Sequence, residues 1–147
     1  KGHSLSMAID LLLKRATISP ADINYINLHG TGTREGDLYE TRQIKKALGV
    51  YAKRIPMSST KSMTGHTLGA AGAIETIASC LAMHTNTLPP TVGLEEPDPE
   101  CDLDYVPLKA RRAEVRTALS ISMGFGGHIA TLALGKSPLE NACLKTS

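Results

Sequence analysis

Tryptophan is absent from the chain, phenylalanine occurs once and tyrosine four times, so aromatic residues make up only 3%. Proteins that hold single-stranded nucleic acid stack its bases on such rings, and this chain has almost none to offer. A charge excess is missing too. Sixteen basic residues against 14 acidic ones leave +2, which argues against a nucleic-acid partner. No apolar run approaches the ~20 residues that span a bilayer. Lys1-Gly2-His3-Ser4 opens the chain without the apolar core of a signal peptide. Cysteine is scarce: Cys80, Cys101 and Cys143 are odd in number and form no C-x-x-C pair. That suits a reducing compartment, cytoplasm or organelle matrix, better than a disulfide framework. No H-E-x-x-H and no zinc-like spacing occurs, so no transition-metal site is expected.

What is present reads as α/β. Leu5, Ala8, Ile9, Leu12, Leu13 and Ala16 recur at helical spacing, and Ser19-Pro20-Ala21-Asp22 forms a capped connector. Ile23 to Leu28 predicts a strand. Asp37 with Glu40 three residues on predicts a capping box, followed by a helix over Leu38, Thr41, Ile44, Ala47 and Leu48 that Gly49 ends. Ile55 to Ser58 predicts a second strand. A strand–helix–strand unit of this kind is a crossover between parallel strands. Ala118 to Met123 and His128 to Leu134 predict two more strands, joined by the turn Gly124-Phe125-Gly126-Gly127. The tail from Ser137 to Ser147 has no periodicity and is expected to be mobile, which leaves 1–136 as the domain.

The helix predicted from Leu68 to Met83 differs in kind. It is apolar or small on every side and should be buried all round. Gly65, Gly69 and Ala73 recur every fourth residue, as do Leu68, Gly72 and Thr76, so another backbone can come close. A chain of 147 residues cannot cover such a helix on all faces, so a partner is expected. Beyond it, Pro89 to Pro99 leads into a stretch carrying Glu95, Glu96, Asp98, Glu100, Asp102 and Asp104, which reads as an exposed acidic loop.

Two loops carry candidate chemistry: His29-Gly30-Thr31-Gly32-Thr33 and Lys61-Ser62-Met63-Thr64-Gly65-His66. Each leaves the carboxyl end of a predicted parallel strand, so His29 and His66 should face one crevice. His66 precedes the buried helix, whose positive end disfavours imidazolium and keeps the ring a neutral hydrogen-bond donor. Glu75 lies inside that helix and cannot stay ionised unpaired; Lys61 or a bound cation is its counter-charge. The Lys61–Glu75 pair reads equally as structural or as catalytic. Gly30-Thr31-Gly32-Thr33-Arg34-Glu35-Gly36 mimics a dinucleotide fingerprint. Its third glycine comes one residue late, however, and the next strand ends in Ser58-Ser59 where an acid would hold the ribose.

Taken in order, H-G-T-G-T at His29, K-S-M-T-G-H at Lys61, L-G-A-A-G-A-I-E at Leu68 and G-F-G-G at Gly124 resemble the C-terminal half of the 3-oxoacyl-[acyl-carrier-protein] synthases. These are condensing enzymes of fatty acid and polyketide synthesis, and the likeness runs from about Ser4 to Lys136. The resemblance implies a thiolase-like α/β fold, a five-layered α/β/α/β/α sandwich of which this chain is one half. It implies decarboxylative Claisen condensation of an acyl-enzyme with malonyl-carrier protein. His29 and His66 match the catalytic histidines, Lys61 the active-site lysine and Glu75 its buried acid. Thr31 and Thr33 match threonines that bond the pantetheine arm, and Phe125 a gating residue beside the acyl pocket.

No bound cofactor is implied, because the acyl carrier protein brings the substrate on its pantetheine arm. The family's nucleophilic cysteine belongs to the N-terminal half, so that half is an expected partner, with a homodimer as the complete enzyme. Ile121 and Ile129 stand where many members carry asparagine, at the place where some build a monovalent cation site. Lys109, Arg111, Arg112 and Arg116 read as a solvated connector or as a strip facing an acidic carrier. The alternative to a catalytic half is a silent partner resembling the chain-length-controlling subunits.

Overall fold

The computed structural model describes residues 4–137. Three short or medium strands run parallel at its centre: β1 (Tyr25–Asn27) lies between β2 (Met57–Ser58) and β5 (Thr117–Gly124). β6 (His128–Gly135) returns antiparallel on β5, giving the order β2-β1-β5-β6, while β3 (Thr87–Leu88) and β4 (Arg111–Arg112) pair antiparallel as a separate two-stranded sheet. The strands expected at 23–28 and 55–58 are therefore present but shorter. The mobile tail expected over 137–147 lies, past Ser137, outside the described residues.

Helices cover both faces. α1 (Leu5–Ala16) starts where the Ser4 hydroxyl accepts the Met7 amide, and it ends on left-handed Thr17. α2 (Arg34–Leu48) ends at Gly49, whose φ of 55° suits glycine. Leu5, Ile9 and Leu13 of α1 and Ile44 and Leu48 of α2 pack on Ile26, Met57, Leu119 and Ile121. α4 (Ala71–Thr85) takes the other face, where Ala82 and Met83 meet Tyr25 and Ala118. The alternation along β5 dictates this division: Leu119 and Ile121 point to α1 and α2, Ala118 to α4.

Three expectations need correction. Asp37 and Glu40 form no capping box: α2 begins three residues earlier, at Arg34, and Thr33 is its cap residue without a side-chain bond to the helix. The α4 helix begins at Ala71, after a 3₁₀ turn over Leu68–Ala70, because Leu68 is left-handed at φ 51°. Within this chain α4 is buried on one face only. Ala71, Glu75, Ser79, Ala82 and Met83 are covered, whereas Ile77 and Leu81 are 60% and 56% exposed. Ala73 lies on that open face, while Gly72 faces the chain's own β5, where an added Cβ would stand 3.5 Å from Ser122 Oγ.

The acidic stretch is exposed as expected at Glu95, Glu96, Glu100 and Asp102, and part of it is also held by ion pairs. Glu100 pairs with Arg42 at 2.6 Å, and Asp102 pairs with Lys45 at 2.5 Å and with Lys53 at 3.3 Å, all reaching back to α2 and the turns after it. No helix among the described residues is long and apolar enough to cross a membrane.

Candidate active site

Because β1, β2 and β5 are parallel, their carboxyl ends share one edge of the sheet. The His29 loop, the turn carrying Lys61 and His66, and the Gly124–Gly127 turn all leave that edge. The structure brings the two histidines together: their ring centroids are 5.5 Å apart and the rings cross at 86°. Parallel pairing of β1 with β2 accounts for this juxtaposition of residues far apart in sequence.

The two rings have different surroundings. His66 is exposed, and its Nδ1 accepts the Leu68 amide at 3.2 Å. An acceptor Nδ1 places the ring's proton on Nε2, which is then a hydrogen-bond donor. His29 is half-buried, and burial, with Lys61 and His66 nearby, lowers its pKa to about 4. It is a neutral imidazole at neutral pH, and its buried Nδ1 meets no hydrogen-bond partner among the described residues.

Lys61 opens α3 (Lys61–Thr64), a single turn of helix, and its ammonium forms an ion pair with Glu75 of α4. Both side chains are nearly inaccessible, at 5% and 2% exposure. Glu75 also accepts from Ser122 of β5 at 3.3 Å. The counter-charge expected for Glu75 is thus Lys61. Thr31 and Thr33 stand with their hydroxyl oxygens 3.3 Å apart at the mouth of the edge. Thr33 spends no side-chain bond on capping α2. Phe125, on a turn whose Gly126 and Gly127 have φ of 77° and 81°, is 97% exposed. A cleft of about 610 Å³ runs from His66 and Lys61 under Thr31 to Cys101 and Tyr105.

One residue of the site escaped the sequence reading. Glu40 is buried in α2, and its two oxygens accept the His29 and Gly30 amides at 2.8 Å each. The signal was available in the spacing: Glu40 falls in register with Ile44 and Leu48 on the helix's buried stripe, where a carboxylate needs donors. Burial raises its pKa to about 7, against the pull of the two amides and of Lys61; Asp37 adds to the rise. The sign follows. The unfolded chain loses this proton near 4.5 while the fold keeps it to about 7, so stability drops as pH rises across that window. The drop is on the order of 3 kcal/mol, and Glu40→Gln should remove it. His29 acts in the opposite sense, since its depressed pKa costs stability as pH falls from 6.5 to about 4. Denaturant unfolding of wild type and Glu40→Gln at stepped pH isolates the Glu40 part in the difference between the two curves.

Of the basic strip, Arg116 stands away from this edge. Asn24, just before β1, takes the Arg116 and Thr117 amides at 2.9 Å, which places Arg116 at the opposite end of the sheet. Arg111 pairs with Asp104, and Arg112 bonds the Thr85 carbonyl at the end of α4. Among the described residues no group of three or more His, Cys, Asp or Glu is placed to hold a metal ion. Ile121 is fully buried in the core and Ile129 packs against it, and neither side chain carries an oxygen.

Comparison with known proteins places the chain in a family. The family model described as "Beta-ketoacyl synthase, C-terminal domain" matches residues 1–95. Similarity to curated relatives extends further. The chain is 53% identical over 135 residues to "3-oxoacyl-[acyl-carrier-protein] synthase 2" of Synechocystis sp., covering 92% of this chain and 32% of that protein. It is 52% identical over 127 residues to "Putative polyketide beta-ketoacyl synthase 1" of Streptomyces cyaneus, covering 86% of this chain and 30% of that one. Among solved structures, a type II PKS acyl-carrier protein in complex with its ketosynthase bound to the hexaketide (AntDE:AntF) matches with a TM-score of 0.87 and 43% identity. That match covers 90% of this chain and 32% of the other. The chain spans about a third of the length of the relatives it matches. Its mixed α/β architecture is that of the C-terminal half of a thiolase-like ketosynthase. The chain belongs to the beta-ketoacyl synthase family, in the part described as that family's C-terminal domain.

Proposed function

We propose that these residues are the histidine-bearing half of an elongating beta-ketoacyl-[acyl-carrier-protein] synthase. The observation that carries this reading is the edge-to-face His29–His66 pair beside the buried Lys61 at one sheet edge. The reaction follows from what the two rings can do. A malonyl thioester held by its pantetheine arm at Thr31 and Thr33 loses CO2, and the C–C bonding pair moves into the thioester as an enolate. Imidazole N–H groups of His66 and His29 bond the oxygen where negative charge gathers. Such donors act on the charge of the transition state more than on the substrate. The enolate carbon then attacks the acyl thioester on the nucleophilic cysteine. The new C–C bond forms and the cysteine leaves as thiolate. Lys61 contributes positive potential, and Phe125 gates the acyl pocket.

The cysteine belongs to the N-terminal half, which we infer also covers the open face of α4; the complete enzyme is a homodimer served by an acyl carrier protein. The synthase part runs through Lys136, just past the end of β6, and works in a reducing compartment without a bound cofactor. The steps above call for no monovalent cation, and Ile121 and Ile129 carry no side-chain oxygen for one at the place where some members build such a site. A silent chain-length-controlling partner is the weaker reading, because it leaves both histidines without work.

Two measurements test this. Incubated with acyl- and malonyl-carrier protein, the 147-residue chain alone should show no acyl adduct by intact mass and yield no 3-oxoacyl product. An adduct on Cys80, Cys101 or Cys143 together with product overturns the reading. Sedimentation and dye binding should show self-association or exposed apolar surface, relieved by the N-terminal half. Ala73→Leu on the open face should weaken that pairing by holding the backbones apart.

A further inference from the structure

We propose that Ser59 is a positioning residue that fixes the His29 loop against the turn bearing Lys61 and His66, and so sets how the two imidazoles face each other. The proposal rests on the reading of the histidines given above, and its test separates the two.

The loop after β1 is held from two sides. On the α2 side, Glu40 takes the His29 and Gly30 amides. On the other side the Ser59 hydroxyl donates to the Gly30 carbonyl at 2.6 Å. The approach is close enough to require glycine: a Cβ at Gly30 would stand 2.6 Å from Ser59 Cβ, and Gly30 has φ +36°. Asn27 and Thr60 join the two segments at their base, at 3.3 Å. Beyond His29, Ser59 is the only side chain of the Lys61 segment that bonds the loop, among the described residues.

Ser59 is itself held firmly. Its amide donates to Thr91 Oγ1 at 3.1 Å, and Thr91 Oγ1 donates to the Tyr105 carbonyl at 2.7 Å. Its carbonyl accepts from the Ser62 hydroxyl at 2.8 Å, and Ser62 Oγ accepts the Val92 amide at 2.9 Å. The strap from Thr91 to Tyr105 thus anchors Ser59, and one hydroxyl passes that anchorage to the His29 loop. Ser59 is 6% exposed, so water does not readily replace the lost bond. Its role is placement of His29, whose ring it does not touch.

The test uses the complete synthase with Ser59→Ala and Ser59→Cys; the second keeps a side chain of the same branching, slightly larger, but gives up the strong donor, and it carries the test if Ser59→Ala does not fold. Carbon-13 histidine resonances give the His29 titration midpoint. In the wild type it lies near 4, held there by burial and by Lys61 and His66, with Glu40 the acid at its amide. Both variants should move it upward, toward the ordinary 6.5. Condensation kcat should fall roughly tenfold, the worth of one such hydrogen bond, with KM and acyl transfer to the cysteine unchanged. An unchanged midpoint in a folded variant overturns the proposal, as does wild-type behaviour of Ser59→Cys. A midpoint that moves while condensation does not supports Ser59 as the tether and instead removes His29 from the reaction.

Discussion

Replacing His66 with Ala in the complete synthase is expected to slow decarboxylation and condensation by about 10²–10³-fold, or ~2.7–4 kcal/mol of barrier, while acyl transfer to the cysteine stays largely intact. The asymmetry follows from geometry. His66 Nδ1 is occupied by the Leu68 amide, so the ring has one free donor, and that donor has nothing to do until charge develops on the malonyl thioester oxygen. His29→Ala should behave alike, because its neutral ring shares the same edge 5.5 Å away. Separate assays of malonyl decarboxylation and of acyl-enzyme formation check both. Near wild-type condensation in the two variants would end the assignment.

Lys61→Ala should cost roughly 3–5 kcal/mol of stability, because it strands a carboxylate in the interior. Glu75 is 2% exposed, and a Ser122 hydroxyl at 3.3 Å is its remaining partner. The double change Lys61→Met with Glu75→Leu should regain most of that loss, since an apolar pair of similar size avoids the desolvation cost. Chemical unfolding of the wild type, Lys61→Met, Glu75→Leu and the double variant gives the coupling energy. Activity then separates the two meanings of the pair. A purely structural bridge predicts a stable and active double variant. Lys61 as a source of potential beside His29 predicts one that is stable and decarboxylates poorly, and that is the expected result.

The histidine pair was legible in the sequence because it needs only two local facts: each histidine follows a strand, and a helix joins those strands. Parallel pairing then does the rest. Glu40 was not legible in the same way. A residue three positions after Asp37 satisfies the pattern of a cap, and the pattern contains no word about a loop ten residues upstream whose amides need an acceptor. The apolar character of α4 could be read, but not which of its two small-residue stripes faces outward. That is decided by Ser122, which comes 50 residues later and meets Gly72. The acidic stretch was rightly read as exposed, but its ion pairs could not be read, because the partners Arg42 and Lys45 lie 58 and 57 residues away on α2.

β1 sits at the middle of the sheet, yet its two neighbours come from very different distances along the chain. β2 follows within one crossover, while the bond from the Thr117 amide to Asn24 spans 93 residues. Closing a loop of that length costs on the order of 4 kcal/mol in chain entropy before any contact rewards it. At ribosomal speed the intervening segment takes roughly 5–20 s to make. Throughout that interval the strand that aims His29 has a partner on one side at most. A frameshift or premature stop anywhere before Thr117 therefore removes the inner support of the sheet instead of trimming its rim.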